Sequence, residues 1–144
     1  MTIPLAVPDV NVLLALISPD HVRYHAAHAW FSDTTQWATT PYTEAGLVRL
    51  VLNPVVVGAT FTAATALEVL RGLRALPLHR FLADNSSLAA PHIDVAALVG
   101  HRQVTDYHLV NLVARKGAQL ATFDSRLVAS LAPEDRRHVT IIPA

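Results

Sequence analysis

Residues 104–120 read VTDYHLVNLVARKGAQL and are followed by Ala121, Thr122, Phe123 and Asp124. Leu109, Val110, Leu112 and Val113 fall at helical spacing, Arg115 and Lys116 make a basic last turn, and Gly117 stops the helix. Gln119–Thr122 then reads as a short strand, with Asp124 just beyond its end. The stretch thus carries one acid, Asp106, at the start of a helix and a second, Asp124, at the end of a strand. In an open α/β sheet, ligands bind in the crevice outside the carboxyl ends of the strands. Both acids are therefore expected at one edge of a sheet.

Working outward, residues 3–7 read as a buried first strand, with Asp9 and Asn11 where it gives way to a helix over residues 12–17. A helix over 21–31, a second strand over 36–39 and a helix over 42–52, opened by Pro41, follow. Residues 55–58 read as a turn, 62–76 as a long helix and 80–83 as a short one. A polar loop and a short strand lead to Pro91, and a helix is expected to begin over 94–99. Beyond the 104–124 stretch come a helix over 125–131 and a last strand over 139–142. Strands alternating with helices predict an α/β fold with a mainly parallel central sheet between helical layers, an α/β/α sandwich. No repeat or long linker divides the chain, so residues 1–144 are expected to form one domain.

Composition narrows the function. At 144 residues, with 52% hydrophobic and 15% charged residues, the chain can fill a core and is not of disordered type. Its formal net charge is zero, so any polyanion site must be local rather than a broad basic field. Ten of the eleven basic residues are arginine, which suits planar contacts to phosphate. The absence of cysteine excludes thiolate metal sites and disulfides and leaves a cytoplasmic location unopposed. The N-terminal apolar run is interrupted by Asp9 and Asn11, unlike a signal peptide, and no membrane-length apolar stretch occurs.

Four of the eleven acids, Asp9, Glu44, Asp106 and Asp124, stand in otherwise apolar segments at strand ends or helix starts. Capping explains one such acid, since a carboxylate at a helix start satisfies free amides and suits the dipole. Four acids on one edge would repel each other and need a counter-charge or protons. A divalent ion with hard oxygen ligands, Mg²⁺ or Mn²⁺, resolves that conflict and suits phosphodiester hydrolysis.

The strings PDVNVLLAL, TEAGLVRL, TDYHLVNLVARKG and LATFDSRL, in this order, resemble a PIN-domain protein and within that superfamily the VapC toxins of bacterial VapBC toxin–antitoxin modules. The Trp37–Pro41 region and His21/His25 resemble a mycobacterial subgroup. The resemblance spans nearly the whole chain. It implies a PIN fold and a Mg²⁺- or Mn²⁺-dependent endoribonuclease, usually a homodimer, silenced by a VapB-like antitoxin. By position it implies Asp9, Glu44, Asp106 and Asp124 as catalytic and metal-site acids, with Asn11 and Thr105 supporting them. A structured RNA such as tRNA or an rRNA loop is the substrate it suggests. Val10 departs from the Ser or Thr that many relatives carry there.

Other residues admit two readings. His21, His25 and His28 fall at i, i+4 and i+7, one helical face, but no fourth ligand completes a zinc site. Arg102 precedes Asp106 by one helical turn and could form a salt bridge with it or contact RNA phosphate. Arg49 lies about 500° of helix beyond Glu44, so it points elsewhere yet could flank the cleft. Arg71 and Arg74 read as a solvated face or as partners of Glu68. Trp30 and Trp37 are expected in the core or facing a partner. The apolar helices between His21 and Leu76 exceed what one small sheet must bury, which points to a dimer or antitoxin surface. A metal-free module that binds RNA or a protein partner is the alternative from another class. A phosphotransferase with Asp9 as nucleophile would want Asp rather than Asn11, and a lysine better placed than Lys116.

Overall fold

The computed structural model describes residues 3–144. Five strands form one all-parallel sheet: β1 (Ala6–Pro8), β2 (Trp37–Thr39), β3 (His79–Phe81), β4 (Gln119–Thr122) and β5 (Val139–Ile141), in the order β3-β2-β1-β4-β5. Seven helices connect and cover it: α1 (Val10–Ile17), α2 (Tyr24–Ser32), α3 (Pro41–Val51), α4 (Pro54–Val57), α5 (Ala63–Arg74), α6 (Val104–Lys116) and α7 (Ser125–Ser130). The α/β sandwich expected from the alternation is present.

Parallel strands covered on both sides read as continuous apolar runs, and alternate side chains then divide between two cores. Val7, Ala38 and Leu120 pack with Tyr107, Leu109, Val110 and Val113 of α6 on one face. Trp37 and Ala121 point the other way, against α1 and its neighbours α2 and α3, with Leu13, Leu47, Val12 and Ala27 fully or almost fully buried. α1 and α3 approach so closely that a Cβ at Gly46 would stand 2.6 Å from Val10 Cγ2. The branched Val10 thus fills the space that a residue larger than glycine would need. α6 ends as the sequence predicts: Gly117 adopts φ 66° after the basic Arg115–Lys116 turn.

Four expectations fail, the first being the short strand before Pro91: Ser87–Ala90 is a turn in which the Ala90 N–H donates to Ser87 O at 3.0 Å. The short helix over 80–83 is strand β3, which pairs with β2 through Trp37–His79, Ala38–Arg80 and Thr39–Phe81. As an edge strand with two exposed residues of three, it lacks the apolar run of the inner strands. The helix over 94–99 is irregular chain: Asp94 Oδ1 accepts the Ala96 N–H at 2.9 Å, and the Asp94 N–H donates to Asp135 Oδ2 at 2.8 Å, so both bonds favour a turn. Residues 55–58 belong mostly to the one-turn helix α4, capped by Asn53. No helix among the described residues is long and apolar enough to cross a membrane.

The irregular segment between β3 and α6 is tied down by polar side chains of α6. Buried Asn111 accepts the His92 N–H at 2.7 Å and donates to Ser87 O at 3.2 Å. His108 bonds Asp84 at 2.6 Å and Arg115 donates to Asn85 O at 2.6 Å. Burial would raise the Asp84 carboxyl, but the hydrogen bonds from His108 and Ser86 outweigh it and hold the carboxyl below its ordinary value. Asn111→Ala strands a backbone N–H and a carbonyl in an enclosed site, so urea denaturation is expected to show a loss of about 2 kcal/mol. A change below about 0.5 kcal/mol would mean that the segment is held by other contacts.

Candidate active site

The chain runs outward from β1 through β2 to β3, then returns to place β4 on the other side of β1. The order reverses between β1 and β4, which makes the carboxyl ends of these two strands the crevice of the sheet. Asp9 follows β1 and its N–H donates to Ala121 O of β4 at 2.9 Å. Its Oδ1 accepts the Val12 N–H at 3.0 Å and caps α1, while its Oδ2 accepts the Thr122 hydroxyl proton. Thr122 is fully buried, and its Oγ1 in turn accepts the Asp124 N–H at 3.1 Å. Asp124 caps α7 through the Arg126 and Leu127 amides, at 2.9 and 3.4 Å. Thr122, which the sequence reading passed over, therefore joins the first acid to the last. Its only signal in the sequence is a hydroxyl two residues before Asp124 at a strand end.

Asp106 differs from these two. It lies in the first turn of α6 but the helix has no side-chain cap, so the capping role that suits Asp9 and Asp124 does not apply to it. Burial is the largest influence on its carboxyl, followed by the charges of Asp9 and Asp124, and together they push it up to about 6. Asp9 is also raised, chiefly by burial, against the lowering effect of its hydrogen bonds from Thr122, Val12 and Asn11. Three aspartates thus face one another, and among the described residues none of them is in an ion pair.

Glu44 is not brought into this group. It is almost buried, and Arg74 Nη1 of α5 donates to both its oxygens at 3.1 and 3.2 Å. Thr39 donates to Glu44 Oε2 at 2.6 Å, so the 2.7 Å contact between Thr39 and His79 requires the His79 Nε2 to carry its proton. The guanidinium of Arg74 also lies over Phe81, 4.8 Å from the ring centroid. Glu44 with its partners therefore fastens α3 and α5 to the edge of the sheet. Arg74 is exposed, as the sequence suggested, but it pairs with Glu44 rather than with Glu68.

The crevice opens on two sides of the aspartates. On the β2 side it is lined by Tyr42, Gly46, Arg49 and Asn53 of α3 and its end, with Asp9, Asn11, Thr105 and Asp106. On the β4 side it is lined by His21, Arg23, Phe123 and Arg126, again with Asp9, Asn11 and Asp106, and with Asp124. Asn11, Thr105 and Arg49 are thus placed at the crevice, as expected. Arg102 is not: it is exposed in a 3-10 turn (His101–Gln103) and makes no ion pair with Asp106. Arg23, Arg126 and Tyr42 are among the lining residues that the sequence reading missed. His21 precedes α2, where its Nδ1 accepts the Arg23 N–H at 3.0 Å, so the three histidines do not share a helix face. His28 instead bonds Leu16 O at 2.8 Å. Trp37 is core, with its indole N–H donated to Pro77 O.

The donor set suits a hard divalent cation: three carboxylates with no cationic partner, two of them raised, chiefly by burial and then by one another's charge. Among the described residues, no group of three or more His, Asp or Glu side chains is gathered closely enough to hold a metal ion by itself. Mg²⁺ keeps several of its waters and binds through one or two carboxylates, so it does not need such a group.

No protein-family model matches the chain. Ribonuclease VapC38 of Mycobacterium tuberculosis is 46% identical over 123 residues, covering 84% of this chain and 86% of its own. Ribonuclease VapC39 of the same organism is 44% identical over 128 residues, covering 87% and 92%. Among solved structures, M. tuberculosis VapC20, described as a Sarcin-Ricin loop cleaving toxin, superposes with a TM-score of 0.59 over 87% of this chain and 94% of its own. At 17% identity that likeness bears on the fold alone.

The Asp106 carboxyl binds its proton more tightly in the fold than the ordinary value of 3.8. Its contribution to stability is therefore present below about pH 3.8 and is lost as pH rises through about 6. Asp106→Asn removes the charge, so thermal melts near neutral pH should show a midpoint raised by roughly 2–4 °C. The gain should vanish toward about pH 4, where the wild-type carboxyl is protonated. A gain independent of pH, or none, would contradict the repulsion.

Proposed function

The chain belongs to the VapC ribonuclease family, and from that premise we propose that it is a divalent-metal-dependent endoribonuclease, the toxin of a toxin–antitoxin pair. The observation that carries the reading is the unneutralised trio of Asp9, Asp106 and Asp124 at the reversal point of the sheet. These three would hold Mg²⁺ or Mn²⁺, which when bound supplies Lewis acidity at the phosphate and an activated water. Water adds to phosphorus and the P–O3′ bond breaks, leaving a 5′-phosphate and a 3′-hydroxyl.

The chain's own residues set the geometry for that attack. Thr122 and the Val12 amide fix both oxygens of Asp9, and the α7 amides fix Asp124, so two of the three acids cannot swing away. Asp106 is acted on by burial and by the two other charges but, among the described residues, by no hydrogen-bond donor, which leaves its lone pairs for a ligand. Glu44 stands outside this set, as the tie to Arg74.

A structured RNA, such as a tRNA or an rRNA loop, is the substrate class we favour, since the zero net charge offers no general attraction for polyanions. A VapB-like antitoxin is the expected partner, in the cytoplasm. An apolar groove of about 310 Å³, lined by Leu14, Ile17, Val51, Val57, Phe61 and Val69, is the surface that suits an apolar partner segment or a second copy of the chain.

Purified protein free of partner is expected to cut total RNA into discrete fragments with Mg²⁺ or Mn²⁺ and not with EDTA. Asp9→Asn should lower the rate at least about 100-fold. Glu44→Gln should retain most of the cleavage while lowering stability by about 1–2 kcal/mol. Metal-independent RNA binding without cleavage would favour a binding module instead, and loss of cleavage in folded Glu44→Gln would return Glu44 to the metal site.

A further inference from the structure

We propose that a single RNA strand crosses the end of the sheet from β2 to β4, held by Arg49 on one side of the aspartates and by Arg23 on the other. The proposal rests on the nuclease reading and names how that site takes its substrate. Sheet order sets the direction of the path. α3 follows β2 on one side of β1, whereas Phe123 and Asp124 follow β4 on the other, so the two openings lie to either side of Asp9. Adjacent strands are about 4.8 Å apart, which puts β2 and β4 about 10 Å from each other, a span that a strand can bridge with the reacting phosphate between them.

Neither arginine is in an ion pair among the described residues. Among the described residues the ion pairs of the molecule are Arg74–Glu44 and His108–Asp84. Arg23 and Arg49 stand at the rim of a group of carboxylates that repel one another, yet neither is paired with them. A guanidinium free to neutralise such a group would normally do so, unless it is held elsewhere. Arg23 is so held: its guanidinium lies over the Phe123 ring, 4.9 Å from the centroid, and Phe123 is fixed between Thr122 and Asp124. Stacking leaves the edge N–H donors of a guanidinium free, the geometry that grips a phosphate. Arg49 projects from α3 one turn beyond Gly46, in line with Tyr42 and Asn53, so its charge is carried on a rigid helix. With zero net charge, the crevice cations Arg23, Arg49 and Arg126 are what the site offers to a polyanion, and Arg23 and Arg49 are the pair that stands on opposite sides of Asp9.

A duplex would present its phosphates on a rigid cylinder, whereas a splayed loop can bend to bring flanking phosphates to both arginines. The arms differ in kind. Because Arg23 works by stacking, lysine should not replace it, whereas Arg49 acts as a point charge that lysine can supply.

The test measures binding with the chemistry switched off. In the full-length Asp9→Asn protein, fluorescence anisotropy with a labelled RNA hairpin bearing a single-stranded loop gives the affinity as a function of salt. Arg23→Ala and Arg49→Ala should each weaken binding about tenfold and each lower the salt slope by about 0.7. Arg71→Ala, the same charge change on an exposed residue away from the crevice, should stay within about twofold. Arg49→Lys should restore most of the affinity and Arg23→Lys little of it. The blunt duplex of equal length should bind more weakly than the hairpin. Arginine variants that bind like Arg71→Ala, or a duplex that binds as well as the loop, would overturn the path. With wild-type Asp9, unchanged KM in both alanine variants while cleavage persists would overturn the path and leave the nuclease reading standing. Arginine-dependent RNA binding with no cleavage by the wild type under any metal would support the path and remove the nuclease.

Discussion

Three carboxylates are held together without a counter-charge, and the placement of the sheet ends forces that arrangement. Asp9 must sit where it does because its backbone N–H completes the β1–β4 pairing and its side chain caps α1. Asp124 must sit where it does because it caps α7 and hangs from Thr122. α6 packs its apolar side against Val7 and Leu120, and its first turn then brings Asp106 to the same crevice. None of these three placements can be relaxed singly without losing a cap, a ladder bond or a core contact. The resulting repulsion costs stability, as expected of a site maintained for a ligand rather than for the fold.

Much of this was legible in the sequence, for physical reasons that differ by element. α6 and β4 were readable because the helical apolar spacing, the basic last turn and Gly117 all agree. β1, β2 and β4 were readable as short apolar runs because both of their faces are buried. β3 was not, since an edge strand reading His-Arg-Phe has no such run and is defined only by its pairing to β2. The 94–99 segment has a helix-like apolar pattern, but Asp94 and Asp135 capture the backbone amides that a helix would need.

The site divides in the same way. Asp9, Asp106 and Asp124 were placed by their position at strand ends and a helix start, which local pattern can show. Glu44 was included on the same ground, as an acid at a helix start, but helix geometry argues against it: Tyr42 and Gly46 line the crevice, and Glu44 lies two residues from each, about 200° around α3. Arg49 points into the crevice for the same reason that Glu44 points out of it. What the sequence could not show was the partner that makes this tenable, because Arg74 reaches Glu44 from 30 residues away. Arg23 was hidden likewise, since its role depends on a ring at Phe123 that only the fold brings beneath it.

In the proposed reading, the ion site consists of the three aspartates and excludes Glu44. Anomalous diffraction from crystals soaked in Mn²⁺ tests it directly. A peak contacted by Asp9, Asp106 and Asp124 is expected, with Glu44 still bonded to Arg74. A peak that draws Glu44 off Arg74 into its ligand shell, or no peak at saturating Mn²⁺, would contradict it.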